Sequence, residues 1–529
     1  MVRVCTSLFA LLIVSIGFGQ EPPKGMFTLG IPESIPARSA EVENYTSSID
    51  FPPLLDWSTD GKFLLFNGGF EIYKMRRPNG QVSEVDRLSE YFGYFRLDPG
   101  QRRLVFQEQR AGNEDYEIFV HDLQEQTTLS LSTPGARSHS PRWSPDGSQL
   151  VYQSNQTKED RIDLFIANPS GEEPFELLFT NIGDEGSILD WSAGRNQLLL
   201  CRTLCEYDKQ LFLLDLDTKH AKPLLANQLE LDFRSGYFLE SQNAILLLSD
   251  QFGDHLNLVW YDLENQQSTP MTEFQWDIES FVINQEETWG AFVVNRDGVH
   301  QLYRISLFDH SIEAIPFAGP QGIIRDLRMH PIRPEVAFNY YGSTFRRIGV
   351  SCDLEKKNWK VWTTGKLNLR RGQVVEPEAF RYATHDGDSI PCMIYWPEIS
   401  KRTSCPVWID IHGGPEFQAR PLYNPWYQYL TKRLGVAVVV PNIRGSSGYG
   451  KSFLRADDHF LRENAIRDVG ALLDWIKDES RLDEEKTLIH GQSYGGYVAM
   501  ASLLAYPDQI KAGINVVGMA DLVSFLENT

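Results

Sequence analysis

The 529 residues exceed what one ordinary hydrophobic core holds, so we expect two or more domains. Hydrophobic residues make up 42% of the chain and charged residues 23%, which is an ordinary globular composition. The formal net charge of −21 argues against nucleic acid or an anionic membrane as a partner, because either would repel the chain. Solubility is the simplest explanation of this acidic balance.

Residues 1–19 have the pattern of a secretory signal peptide, with Arg3, an apolar run from Leu8 to Phe18 and small residues near the end. The run is short for a membrane span, so we expect cleavage, export to the periplasm or the extracellular space, and no stable membrane insertion. A retained N-terminal anchor is the alternative. Residues 20–49 form a lead-in to the first domain.

Five cysteines remain after the signal, and an odd number leaves at least one thiol unpaired. A disulfide scaffold is therefore not expected. Cys201 and Cys205 have no metal-ligand spacing around them, and we interpret them as small packed residues.

Residues 50–366 contain a sequence pattern that recurs along the chain. The clearest repeats combine an aromatic residue, a polar turn and an alternating apolar strand, and they are Leu55–Phe66, Pro141–Tyr152 and Leu189–Leu200. Weaker copies begin near Tyr94, Gly236, Ser280 and Asp326. The second half of each repeat unit recurs as well. The seven copies are predicted to open a third strand, and they begin at Glu71, Glu117, Asp163, Gln210, Asn257, Gln301 and Arg347. The spacing of roughly 40 to 48 residues is that of a four-stranded blade, so the repeats predict an all-β seven-bladed β-propeller.

The conspicuous residues of the blades have structural interpretations. Trp57, Trp143 and Trp191 are expected in the core between blades, and the Asp-Gly pairs at 60–61 and 146–147 are expected to form hairpin turns rather than a calcium site. The pair Glu172–Glu173 could hold the amino terminus of a peptide, but an exposed loop is the favoured interpretation.

A polar linker at 367–378 leads to a domain of α/β order at 379–529. Phe380–Ala383 and Ile390–Tyr395 are predicted to form an antiparallel pair. The apolar strand that ends at Ile411 runs directly into His412–Pro415, and an HGG turn at this place presents backbone N–H groups to an oxyanion in hydrolases.

The middle of this domain supplies a strand, a loop and a helix. Gly435–Val440 is too apolar to alternate and is predicted as a strand covered on both faces. The glycine-rich loop 441–450 lacks the spacing of a phosphate-binding loop. A helix follows, with Asp468, Asp474 and Lys477 expected outside its apolar face and with five residues expected inside, Ile466, Val469, Leu472, Leu473 and Ile476.

Residues 486–500 are predicted to form a strand, a sharp turn and a helix, with Gly491-x-Ser493-x-Gly495 at the turn. Such a turn pushes a serine hydroxyl out of the sheet, and the glycines leave room for it. The motif alone is weak evidence, because it can arise by chance in a chain of this length. The HGG turn precedes it in the order expected of a hydrolase and strengthens the interpretation. Ser493 is therefore the candidate nucleophile. Another strand is predicted from Ala512 to Val517.

The propeller followed by His412–Pro415, Pro441–Gly450 and Gly491–Gly496 resembles the prolyl oligopeptidase family of serine peptidases, most of all its acylaminoacyl and dipeptidyl peptidase branch. The resemblance covers nearly the whole mature chain. It implies an α/β-hydrolase domain whose active site the propeller caps, with short peptides as substrates and no cofactor or metal. It also implies that Ser493 is the nucleophile and that the backbone N–H groups of Gly414 and Tyr494 bind the oxyanion.

The sequence departs from the family after Ser493. Hydrolases of this fold continue with an aspartate and then a histidine, but here only Asp508 and Asp521 follow, and no histidine does. His412 and His490 precede the serine, and we expect neither to act as the base. We therefore expect a truncated hydrolase domain without its last strands, from a fragmentary sequence or a broken gene. The strand near Ala512 would then be an exposed apolar edge, and the chain as it stands would show no turnover.

Two other functions stay open. One is a non-catalytic peptide-binding propeller protein, although the intact motifs around Ser493 argue against it. The other is an acyl-ester hydrolase that uses the same serine. The sequence leaves open which peptide bond is recognised and what the oligomeric state is.

Overall fold

The structure is a computed structural model that describes residues 48–49, 52–69, 71–78, 80–87, 95–109, 116–171, 175–180, 182–183, 186–205, 207–317, 319–363, 366–367, 374–519, 521 and 523. The signal predicted at residues 1–19, most of the lead-in and the pair Glu172–Glu173 lie outside the described residues. Among the residues that are described, no helix has the length and apolarity needed to cross a membrane.

The structure confirms the predicted seven-bladed propeller. The described residues contain seven four-stranded antiparallel sheets, and each is built from one continuous stretch of chain. From blade 3 round to blade 1, the first strands of neighbouring blades lie next to each other, so the first strands of these blades are the innermost. Blades 1 to 3 consist of β2 (Leu54–Trp57), β3 (Leu64–Asn67), β4 (Glu71–Met75) and β5 (Val82–Arg87); β6 (Phe95–Leu97), β7 (Arg103–Gln109), β8 (Tyr116–Asp122) and β9 (Thr127–Ser130); and β10 (Ser138–Trp143), β11 (Leu150–Ser154), β12 (Asp163–Ala167) and β13 (Glu176–Phe179).

The remaining blades follow the same plan. Blades 4 and 5 consist of β14 (Ser187–Ser192), β15 (Gln197–Cys205), β16 (Asp208–Asp215) and β17 (Ala221–Leu224); and β18 (Phe233–Leu239), β19 (Ala244–Ser249), β20 (Asn257–Asp262) and β21 (Ser268–Pro270). Blades 6 and 7 consist of β22 (Ile278–Ile283), β23 (Trp289–Arg296), β24 (Val299–Ser306) and β25 (Ile312–Ile315); and β26 (Gly322–Met329), β27 (Glu335–Gly342), β28 (Ile348–Asp353) and β29 (Asn358–Val361). A short ribbon of β1 (Ser48–Ile49) and β30 (Lys366–Leu367) lies outside the blades.

The apolar residues of the repeats pack between blades, as the sequence predicts. Trp57, Trp143 and Trp191 are all buried, and each belongs to an apolar cluster. The Asp-Gly pairs lie in tight turns, where Gly61 and Gly147 have φ values of 65° and 73° that a residue with a side chain rarely adopts. These turns join the first and second strands of their blades.

Blades 1 and 7 close the ring without sharing a strand. The buried Asn339 of β27 takes the place of a strand partner, because its Oδ1 accepts the Leu54 N–H at 2.9 Å and its Nδ2 donates to the Leu54 carbonyl at 3.2 Å. Arg328 Nε donates to the Leu55 carbonyl at 3.0 Å, and the Trp57 and Trp362 rings meet edge to face. Side chains therefore hold this seam between the first and last blades.

The second domain is built around one six-stranded sheet in the order β31, β32, β34, β33, β35, β36. The first two pairings are antiparallel and the other three are parallel, which is the predicted α/β-hydrolase arrangement. Its strands are β31 (Glu378–Ala383), β32 (Ser389–Tyr395), β33 (Cys405–Ile411), β34 (Ala437–Pro441), β35 (Leu482–Gln492) and β36 (Ala512–Val516). β36 is exposed along most of its length.

Helices cover the sheet. The helices are α1 (Pro425–Tyr429), which continues as a π-helical turn at Leu430–Leu434, then α2 (Lys451–Leu454), α3 (Glu463–Asp478) and α4 (Tyr494–Ala505), with 3-10 turns at Glu240–Gln242, Glu398–Lys401 and His459–Leu461. The five predicted apolar residues of α3 are all buried in the domain core. Helix α4 begins at Tyr494, directly after the predicted sharp turn.

The prediction that Asp468 lies on the solvent face of α3 is wrong, because this residue is fully buried. Arg444 from the glycine-rich loop reaches it, with Arg444 Nη2 donating to Asp468 Oδ1 at 2.6 Å. The same carboxylate accepts the backbone N–H of Arg444 at 3.0 Å. The helical periodicity could not reveal this partner, which is 24 residues away in the sequence.

The interpretation of Cys205 as a packed residue is also wrong. All five cysteines are free, and Cys201 is buried as expected. Cys205, however, is exposed, because β15 has passed beyond the core of its blade at that residue.

The seam between blades 1 and 7 leads to a stability prediction. Asn339→Ala is expected to lower the free energy of unfolding by about 1–3 kcal/mol, because it leaves the buried N–H and carbonyl of Leu54 without partners. Urea denaturation followed by tryptophan fluorescence measures the change. Asn358→Ala, on the exposed outer strand of the same blade, is the control and should have little effect. Equal losses for both variants would contradict the role of Asn339 in closing the ring.

Candidate active site

Ser493 lies in the sharp turn between β35 and α4. Its backbone has φ 56° and ψ −123°, a conformation that costs a residue with a side chain on the order of 1–3 kcal/mol. Its N–H donates to the Val516 carbonyl at 2.9 Å, and its own carbonyl accepts the Gly496 N–H at 2.9 Å. The residue is exposed. The turn therefore presents the hydroxyl to a substrate at the start of a helix.

The glycines of the motif are needed because the backbone segments meet without space for side chains. A Cβ on Gly491 would lie 2.0 Å from the Gly495 carbonyl oxygen, and one on Gly495 would lie 2.1 Å from the Ile411 carbonyl oxygen. Any other residue would push β33, β35 and α4 apart. The G-x-S-x-G pattern is thus a packing requirement of this turn.

The HGG turn lies beside the serine. β33 and β35 are parallel neighbours with Ile411 opposite Gly491, so the segments that follow both strands come together at one edge of the sheet. A Cβ on Gly413 would be 3.3 Å from Ser493 Cβ and 3.9 Å from Ser493 Oγ. Gly414 follows with φ 122°. The structure thus brings the two predicted motifs together.

Tyr494 directly follows the nucleophile, and Gly414 follows the glycine that lies against the Ser493 side chain. Tyr494 is the first residue of α4, and its backbone N–H is one of those that have no partner within a helix and carry its positive dipole end. Its phenol donates to Asp457 Oδ2 at 2.7 Å, and Asp457 also binds Arg462. This buried contact fixes the start of the helix, and no motif in the sequence indicated it.

Both nearby histidines have other partners. His412 Nδ1 donates to the Gly413 carbonyl at 2.7 Å, its Nε2 lies 2.9 Å from Ser446 Oγ, and burial lowers the pKa of its imidazole. His490 Nδ1 lies 2.6 Å from Asp410 Oδ1. Within the described ranges, no histidine or carboxylate is hydrogen-bonded to Ser493 Oγ.

The segment after the HGG turn is fixed to the propeller. Asn295 of blade 6 donates to Gln418 Oε1 at 2.7 Å, and the Tyr423 N–H donates to the Gly342 carbonyl of blade 7 at 2.8 Å. Arg420 donates through two nitrogens to the Glu279 carboxylate. Burial opposes ionisation of Glu279, but His300 and Arg420 outweigh it and lower the pKa of the carboxyl.

The ion pairs across this interface all have the same orientation. The hydrolase domain contributes cations and the propeller contributes carboxylates, in the pairs Arg420–Glu279, Lys451–Asp250, Arg455–Glu230 and Arg381–Asp297. Lys451 and Asp250 are the most enclosed of the last three pairs, at 2.7 Å. These pairs orient the two domains relative to each other, and periodicity in the sequence gave no sign of them.

A cavity of about 240 Å³ lies between the domains. Arg325 of blade 7 lines it together with Asp410, His412, Gln418 and Tyr427 of the hydrolase domain. His412 is the first residue of the HGG turn, so the cavity lies beside that turn, and Ser493 is not among the residues that line it.

Comparison with known proteins gives consistent results. Residues 422–529 match the family model described as the prolyl oligopeptidase family. Dipeptidyl aminopeptidase BIII of Pseudoxanthomonas mexicana is 31% identical over 121 residues, which are 23% of this chain and 17% of that protein. A prolyl endopeptidase of Elizabethkingia meningoseptica is 26% identical over 169 residues, 32% of this chain and 24% of that protein. The chain thus matches less than a quarter of either relative.

A solved puromycin hydrolase shares the fold, with a TM-score of 0.78 and 16% identity over 92% of this chain and 80% of its own. A chain from a structural study of two prolyl endopeptidases also has a TM-score of 0.78, at 14% identity over 93% of this chain and 76% of its own. The match over residues 422–529, these relatives and the shared two-domain fold show that the chain is similar to proteins of the prolyl oligopeptidase family.

Proposed function

We propose that this chain supplies the nucleophile and the oxyanion site of a peptidase that cleaves short peptides through an acyl-enzyme on Ser493. The observation that carries the proposal is the exposed Ser493 in a strained turn, with Gly413 of the HGG turn against its side chain. The names of the relatives, which include a dipeptidyl aminopeptidase and a prolyl endopeptidase, support peptides as the substrate class.

The reaction follows from the placement of these groups. Ser493 Oγ attacks the peptide carbonyl carbon, and the carbonyl oxygen becomes an oxyanion. The backbone N–H groups of Gly414 and Tyr494 are proposed to donate to that oxyanion, with the N-terminus of α4 adding its positive dipole. Loss of one such donor typically lowers the rate about 10² to 10³-fold. Collapse of the tetrahedral intermediate expels the amine, and water then hydrolyses the ester on Ser493.

The general base is a separate requirement. Ser493 Oγ must lose its proton during attack, but His412 and His490 are held by Gly413, Ser446 and Asp410. No histidine follows Ser493 in the sequence. We therefore propose that a polypeptide of these residues alone holds the nucleophile in position without activating it.

A fluorophosphonate probe tests this proposal on the polypeptide of residues 20–529. Labelling of Ser493 is expected to be slow and far below one probe per chain, since no base removes the hydroxyl proton. Mass spectrometry of the labelled peptide gives the stoichiometry, and Ser493→Ala gives the background. Rapid stoichiometric labelling would show that a described residue does act as the base.

The propeller is proposed to restrict access to short peptides. The cavity of about 240 Å³ beside the HGG turn is bounded by both domains, and its size suits a few side chains rather than a folded protein. The ion pairs and hydrogen bonds across the interface hold the propeller against this cleft. A substrate must therefore be small or flexible to reach Ser493.

The peptide assignment is tested in a version of the protein whose chain supplies an aspartate and a histidine to Ser493. Aminoacyl-nitroanilides are expected to be hydrolysed with a higher kcat/KM than short acyl esters, because the cavity beside the HGG turn provides room for a peptide residue. Ser493→Ala is expected to lower kcat on the order of 10⁶-fold. A clear preference for acyl esters would favour the esterase alternative, and unchanged binding without hydrolysis would favour a peptide-binding protein.

The interface carboxylate Glu279 gives a pH prediction. Its pKa is lowered from 4.5 in the folded protein, so its ionised form stabilises the fold above about pH 4.5 and this contribution is lost as the pH falls below that value. Glu279→Gln is expected to cost about 1.5–3 kcal/mol at pH 7 and progressively less below pH 4.5. Urea denaturation at a series of pH values measures the difference. The exposed Glu264→Gln is the matched control, and a Glu279→Gln cost that is independent of pH would contradict the prediction.

A further inference from the structure

A second cavity, of about 410 Å³, lies at the seam between blades 1 and 7. It is lined by the turns that join the first strand to the second and the third strand to the fourth. The hydrolase domain contacts the opposite turns, such as those at Asp254, Asp297 and Gly342. The seam cavity is therefore on the face of the propeller away from Ser493.

The lining of the seam cavity is strongly cationic. It has one carboxylate, Asp60, against five cationic side chains, namely Lys62, Arg76 and Arg77 of blade 1 and Arg333 and Lys360 of blade 7. This concentration of positive charge contrasts with the net charge of −21 for the whole chain. Such a local reversal of sign attracts anions from solution.

Only part of this charge is neutralised. Lys62 pairs with Asp60 at 3.0 Å, while Arg333 and Lys360 both contact the buried Glu335 at 3.1 and 2.9 Å. Arg76 and Arg77 are exposed, and neither has an ion pair or a side-chain hydrogen bond within the described part of the chain. Two guanidinium groups at the cavity thus lack a counter-charge from any residue of the described ranges.

The floor of the cavity adds aromatic surface and an unused donor. Trp57 and Trp362 are buried there with their rings edge to face, 5.8 Å apart. Trp362 Nε1 donates to Ser351 Oγ, but the buried Trp57 Nε1 has no acceptor among the residues that the structure describes. A buried N–H without a partner is unusual in a native fold.

We propose that the seam cavity binds a small organic anion, a phosphate or carboxylate group carried on an apolar or aromatic body. The planar guanidinium groups of Arg76 and Arg77 match such oxyanions, and the tryptophan rings match the body. The volume of the cavity is in the range of small-ligand sites. A ligand here would touch both blades of a seam that has no shared strand, so its binding would also stabilise the closed ring.

Calorimetric titration with phenyl phosphate at constant ionic strength tests the proposal. We expect one site per chain with a Kd of about 1 mM or tighter, and weaker binding of inorganic phosphate, which lacks the aromatic body. Benzoate distinguishes a carboxylate from a phosphate preference, and binding of either supports the proposal. Absence of saturable binding of both phenyl phosphate and benzoate would overturn it.

Variants locate the site. Arg76→Gln/Arg77→Gln is expected to weaken phenyl phosphate binding at least tenfold and to abolish the rise in melting temperature that the ligand gives the unmodified protein. Lys401→Gln/Arg402→Gln changes the net charge equally at an exposed turn of the hydrolase domain and should alter the Kd less than twofold. Both pairs are exposed, so the fold is retained, and circular dichroism checks this. Equal effects of the two double variants would show only general attraction by charge and would overturn the assigned site.

Discussion

The arrangement of the hydrolase domain depends on the close contact of three backbone segments around Ser493. β33, β35 and α4 approach so tightly that Gly491 and Gly495 have no space for a side chain. This contact holds Ser493 in a strained conformation that costs on the order of 1–3 kcal/mol, which the surrounding apolar core must offset. Packing holds the strained turn in place, and Ser493 is exposed beside the HGG turn.

The two domains meet through charge of opposite sign. The propeller provides carboxylates and the hydrolase domain provides cations, although the chain as a whole is strongly acidic. The contacts of Gln418 and Arg420 fall directly after the HGG turn, so the propeller fixes the segment that also forms the proposed oxyanion site. Substrate access and the geometry of the site are thereby linked through one short segment.

Local signals were sufficient to predict the architecture. The blade repeats, the order of strands and the two glycine motifs depend on neighbours in the sequence, and the propeller and the hydrolase sheet follow from them. Contacts between distant residues were not predictable in this way. Helical periodicity predicts a surface position for Asp468, whose buried carboxylate instead pairs with Arg444. No motif predicts the hydrogen bond from Tyr494 to Asp457. Cys205 was misassigned because burial along β15 ends before the strand does.

The proposed chemistry requires that backbone N–H groups of the HGG turn and of α4 face the oxyanion formed at Ser493. The most direct measurement is a crystal structure of a peptide boronate bound to a version of the protein in which an aspartate and a histidine complete the site. A boron–Ser493 Oγ bond, with a boronate oxygen about 2.7–3.1 Å from the N atoms of Gly414 and Tyr494, is the predicted result. A boronate bound at another residue, or with its oxygen directed away from both N–H groups, would contradict the central claim.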